Sequence, residues 1–242
     1  MATREPIFNV PGVVLALLAV LIAVHVGRQF LSPEAGYQFL LAMAFIPARY
    51  AGLADQIPGG QIAKVTSFLT HMFMHADAVH LAVNGAWLLA FGSILSRRMG
   101  SLRFLAFAVC GGIAGALVFL VMNPGLAAPV IGASGAVSAL MGGVMRFLMQ
   151  AVDRGEGPLL SENPGAIPAM SLRATLTDRR IILSSVVFVA MNLLTIAGVG
   201  SLGTVGSIAW EAHLGGYFFG LFAFALFDPA TQNASPYMRE FD

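Results

Sequence analysis

An all-α membrane protein, a compact bundle of six transmembrane helices, is predicted here by three observations. Hydrophobic residues make up 57% of the chain and charged residues only 10%. A water-soluble domain carries about 25% charged residues, so too little polar surface remains to cover a globule. Mean hydropathy is high, at +0.81. Six separate stretches approach the ~20 apolar residues that a helix needs to cross a bilayer. Lipid offers unpaired backbone groups no partner, so each stretch must be helical. The net charge of +1 gives no sign of a nucleic-acid partner.

In chain order the stretches are Val10–Val26, Ala78–Leu95, Phe104–Met122, Ser134–Met149, Ile181–Val199 and Ser207–Phe227. The first ends at Arg28; a cleaved leader is its competing reading, but a clear small-residue cleavage site is lacking. The second ends at Arg97-Arg98, the third at Asn123-Pro124 and the fourth at Asp153-Arg154. The fifth starts after Asp178-Arg179-Arg180, and the sixth stops at Asp228-Pro229. The single cysteine, Cys110, excludes an intramolecular disulfide and reads as a small packed hydrophobe in the third stretch.

Arginine and lysine set the orientation. With the N-terminus inside, cytoplasmic segments hold ten of them, from Arg4 to Arg239, and the other side only Arg28, Arg49 and Lys64. The N-terminus is therefore expected in the cytoplasm. The chain divides into a cytoplasmic segment 1–9, one membrane domain over 10–228 and a polar tail over 229–242. Two connections are long. Residues 29–70 lie outside and are expected to form a structured or membrane-dipping element. Residues 153–180 lie inside and are rich in glycine and proline.

Polar groups inside a bilayer are costly, so each is a candidate functional residue. They are His25, His71, His75, His80, Asn84, Ser134, Ser138, Asn192, Glu211 and His213. Most have a plainer reading: a lone span serine bonds its own helix, and His25 is expected at the headgroups. Depth narrows the set. His80, Ser134 and His213 lie near the outer ends of the second, fourth and sixth stretches, with Asn84 one turn below His80. His213 is expected about five residues into its span, ~8 Å deep. Gly132 and Gly135 flank the serine, and Gly216 and Gly220 follow His213 on one helical face. Small residues at that spacing let two membrane helices approach closely. Imidazole is the usual base for a hydroxyl nucleophile, and a helix N-terminus supplies N–H groups to an oxyanion. Zinc is the competing reading of His71, His75 and His80, but no HExxH motif accompanies them.

The segments Leu69–Asn84, Gly132-Ala133-Ser134-Gly135 and Ala212–Gly220 together resemble the rhomboid intramembrane serine proteases of the bacterial six-span type. The resemblance covers about residues 66–222. It implies a Ser134–His213 dyad, with Ser134 as nucleophile and His213 as general base. His80 and Asn84, with the backbone at Gly132 and Ala133, would support an oxyanion. His75 would organise the outer loop and cavity water, with His71 similar in kind. Gly135, Gly216 and Gly220 would pack helices, and the first outer loop would be membrane-embedded. No metal, nucleotide or other cofactor is implied. The implied partners are transmembrane protein substrates and the lipid bilayer, and the expected location is the bacterial inner membrane.

Three features depart from that family's pattern. Thr66-Ser67 stands where Trp-Arg is common, Ser138 where a tyrosine stacks on the catalytic histidine, and Ser96 where a glutamate is frequent. A catalytically silent membrane-helix binder and a small transporter are the rival readings. The joint presence of Ser134, His213, His80 and Asn84 weighs against the first, and the glycine-flanked serine against the second.

Overall fold

The computed structural model describes residues 10–194 and 209–229. Segment 1–9, the distal end of the fifth predicted span, the Ser207 start of the sixth and the tail beyond 229 lie outside them. The described residues are helical, with no strand and one isolated bridge between Phe45 and Val130. Nine helices matter to the site: α1 (Gly12–Arg28), α2 (Pro33–Met43), α3 (Ala63–Thr70), α4 (Ala78–Met99), α5 (Ser101–Met122), α6 (Ser134–Asp153), α7 (Leu172–Thr177), α8 (Arg179–Leu194) and α9 (Trp210–Phe227). Among the described residues α4, α5 and α6 are both long and apolar enough to cross a membrane; α1 is apolar but shorter, at 17 residues.

Local chemistry sets the helix ends. Asp77 caps α4 by accepting the His80 N–H at 2.8 Å, and Ser32 and Ser171 cap α2 and α7 in the same way. Gly100, at φ +78°, breaks the chain between α4 and α5, the left-handed conformation that a side chain would resist. The second predicted span runs on past Leu95 to Met99, with a wide π turn at Leu88–Gly92. The fourth runs on to Asp153. Charged residues ended both spans in the sequence reading, yet a helix continues where its charged side chains find partners.

Helix α6 forms the centre and is buried along most of its length, more than α4 or α5. It packs between α5 and α9. The core around it holds Phe104, Phe107, Leu140, Phe147 and Phe224, all fully buried. Two buried arginines sit at the end of the bundle away from Ser134. Arg98 forms a bidentate pair with Asp228, both contacts at 2.9 Å, donates to the carbonyls of Pro164 and Ile167, and lies 4.3 Å from the Phe147 ring centre. Arg146 donates to Leu221 O at 2.9 Å and Met170 O at 2.7 Å. The 155–170 connection is thereby tied to the bundle. At the same end Arg180 bridges Asp153 and Asp178, and its guanidinium holds Asp178 down at about 2.

The 29–70 connection is structured, as its length suggested. It carries α2, α3 and two short 3-10 turns, and it buries Phe45, Ile46 and Arg49. His25, expected at the headgroups, is buried within the protein, on a helix that packs against α4 and the His71–Phe73 turn.

Candidate active site

Ser134 is the first residue of α6, reached through a loop that is anchored at each step. Val130 exchanges two backbone hydrogen bonds with Phe45, at 2.8 and 3.0 Å. The Gly132 N–H donates to the His71 carbonyl at 2.9 Å, and the Ala133 N–H lies 3.5 Å from His75 Nε2. His71 is itself fixed by an Nδ1–H donated to Ser67 O at 2.7 Å. Gly132 is required twice over. Its φ is +119°, and a Cβ there would lie 2.7 Å from His80 Nε2.

His213 stands in the first turn of α9, three residues after Trp210. Its Nε2 is 2.8 Å from Ser134 Oγ, and its Nδ1 is 2.7 Å from Asn192 Oδ1 on α8. Backbone contact lets α6 and α9 come this close. A methyl group on Gly216 would run into the carbonyl of Gly135, and one on Gly220 into that of Ala139. Gly142 stands likewise against the Tyr217 carbonyl. Gly135 itself is less constrained, because a Cβ there would meet nothing nearer than Ala212 O at 3.5 Å. It contributes its backbone, not its missing side chain.

His80 lies over Gly132 beside the serine, and its ring packs edge-on to His75 with centres 5.0 Å apart. The Ala76 N–H points at His80 Nδ1 from 3.4 Å, which leaves the proton of a neutral ring on Nε2, toward Gly132 and Ser134. Asn84 is buried one turn further along α4, with its amide turned back to donate to His80 O at 3.0 Å. Ser138 is buried in α6 one turn after Ser134. Glu211 accepts from Asn123 Nδ2 at 3.0 Å, which joins the start of α9 to the end of α5.

The sequence did not give Asn192 its partner. It stood among the polar span residues, but nothing in its neighbourhood says which way α8 is turned. The Phe45–Val130 bridge was equally hidden, because a backbone pair carries no side-chain signature.

A family model described as the rhomboid domain matches residues 63–229, from α3 to the end of α9. The chain belongs to the rhomboid family. The matched region of this rhomboid holds Ser134, His213, His80 and Asn192, and leaves α1 and α2 outside. A human relative, rhomboid-related protein 3, is 39% identical over 79 residues, which is 33% of this chain and 19% of that protein. The chain thus spans about a fifth of the curated relative it matches, and that relative gives no support to a specifically bacterial type. This rhomboid is a multi-pass membrane protein, on its family and on its several apolar helices.

Proposed function

We propose that this rhomboid is an intramembrane serine endopeptidase that cleaves transmembrane proteins near one membrane face through an acyl-enzyme on Ser134. The observation that carries the reading is the 2.8 Å contact between Ser134 Oγ and His213 Nε2, at the N-terminus of a buried helix. As Oγ attacks the scissile carbonyl carbon, its proton passes to Nε2 and the carbonyl electrons move onto oxygen. The tetrahedral intermediate collapses by expelling the amine, which takes that proton. Water, activated by the same imidazole, then releases the acyl group. The first-turn N–H groups of α6 have no acceptor within the helix, and with the His80 Nε2–H they offer donors to the oxyanion. Asn84, with the Gly132–Ala133 backbone, is assigned to support of the same pocket, and His75 to holding the loop that carries it.

In this reading residues 10–228 form a single six-helix domain with a cytoplasmic N-terminus and a first outer loop embedded in the membrane. The substrates are single-span or polytopic membrane proteins.

The test is cleavage of a single-span substrate in liposomes by wild type, Ser134→Ala and His213→Ala. The wild type is expected to cut. Each variant is expected to lose activity by about 10⁴-fold or more. Cleavage that survives Ser134→Ala overturns the mechanism. A wild type that binds the substrate without cutting it would instead mark a helix-binding protein.

A further inference from the structure

The geometry points to Asn192 as the positioning residue that fixes the tautomer of His213, a role that rests on the dyad reading above. Asn192 Nδ2 lies 2.8 Å from the Phe188 carbonyl, an oxygen that only accepts, so this atom is the donating nitrogen. The other amide atom, facing His213 Nδ1 at 2.7 Å, is then the oxygen. An oxygen there requires the hydrogen on Nδ1. A neutral ring with Nδ1–H carries its lone pair on Nε2, which is the atom 2.8 Å from Ser134 Oγ. One hydrogen-bond direction therefore runs from Ser134 through His213 and Asn192 to Phe188. Reversing the amide would set oxygen against oxygen at Phe188 and place an N–H against Nδ1. The hydrogen would then sit on Nε2, and the ring could not accept the serine proton.

The support for Asn192 is built into the same two helices. Phe188 stacks on Tyr217 with ring centres 4.7 Å apart, and Ser185 Oγ lies 2.6 Å from Tyr217 Oη. Ser185, Phe188 and Asn192 follow at intervals of three and four, one face of α8. Tyr217 is one turn after His213 on α9. The contact that anchors Phe188 thus fixes the carbonyl that orients Asn192. Ser138 carries no ring to hold the imidazole from α6, and α8 supplies the hold from the other side. When Nε2 takes the serine proton, Asn192 Oδ1 keeps the Nδ1–H and faces the imidazolium with the negative end of its dipole.

The experiment uses the full chain labelled with ¹⁵N-histidine, with the His213 resonances assigned by loss in His213→Gln. In wild type the Nδ1 shift is expected to be pyrrole-like and the Nε2 shift pyridine-like. Asn192→Ala and the similarly sized Asn192→Leu are expected to give mixed tautomers. Both should lower kcat about 10- to 100-fold, the scale of one lost orienting hydrogen bond, with KM within about twofold. Asn192→Asp keeps an acceptor at Nδ1 but sets its second oxygen against the Phe188 carbonyl, so it is expected to keep the Nδ1–H signature at a kcat between those of Ala and wild type. An unchanged tautomer in both the Ala and Leu variants would overturn the assignment, as would an Asp variant with mixed tautomers. The protease reading is checked separately, by labelling of wild-type Ser134 with a phosphonofluoridate. If that labelling fails, the protease reading falls, while the ¹⁵N comparison still decides what Asn192 does.

Discussion

At the scale of single residues, the site is a set of polar groups whose hydrogens are directed by their neighbours. His80 illustrates this, because the Ala76 N–H at Nδ1 turns the other ring nitrogen into a donor beside Ser134. His80→Ala is therefore expected to lower kcat by about 10² to 10³ while leaving Ser134 labelling by a small phosphonofluoridate measurable. Equal kcat in the variant would remove His80 from the pocket. Ser134 and His213 were legible in the sequence because lipid penalises polar groups and because both lay at one depth among glycines. Asn192 was legible as polar but not as a partner. Its role depends on the rotation of α8, and hydropathy does not encode the rotation of a helix that faces lipid on one side and protein on the other.

At the scale of helices, the close pairing of α6 and α9 is a backbone contact, and at its Ser134 end the two facing glycines are unequal. Gly216→Ala would press a methyl group onto the Gly135 carbonyl and is expected to cost about 1–3 kcal/mol, with loss of the Ser134–His213 contact. Gly135→Ala meets only ordinary contact distances and is expected to leave the melting temperature within a few degrees. Thermal unfolding of the two variants in one detergent checks this; equal destabilisation would refute the asymmetry. The sequence marked all these glycines as packing residues and could not tell which of them lacks room. Among the described residues the helix positions were legible to within a few residues, since apolar length can be read along the chain. Their ends were less so, because Asp153 and Arg98 are accommodated by Arg180 and Asp228, residues distant in sequence.

At the scale of the whole molecule, two polar centres brace a largely apolar bundle from opposite ends. Ser134 and its partners occupy one, and the Arg98–Asp228 pair occupies the other, fully buried. Arg98→Ala would take from the buried Asp228 its bidentate partner and is expected to cost about 3–5 kcal/mol, read as a lower denaturation midpoint. Arg98→Met with Asp228→Leu removes both charges and should recover much of that loss; a double variant as unstable as the single would refute the account. The all-helical membrane fold was readable from composition together with the length of the apolar stretches. The long-range pairing was not, because nothing near Arg98 or near Asp228 announces the other.

That pairing also orders events during synthesis. Arg98 and Asp228 are 130 positions apart, and Ser134 and His213 are 79 apart, with both later partners near the ends of α9. At ~5–20 residues per second a ribosome needs on the order of ten seconds to span the longer interval. Through that interval the nascent chain carries an arginine without its carboxylate and a serine without its imidazole contact. Synthesis of α9 and of Asp228 just after it supplies both partners, so a chain stalled before α9 would lack both the Ser134–His213 contact and the Arg98–Asp228 pair.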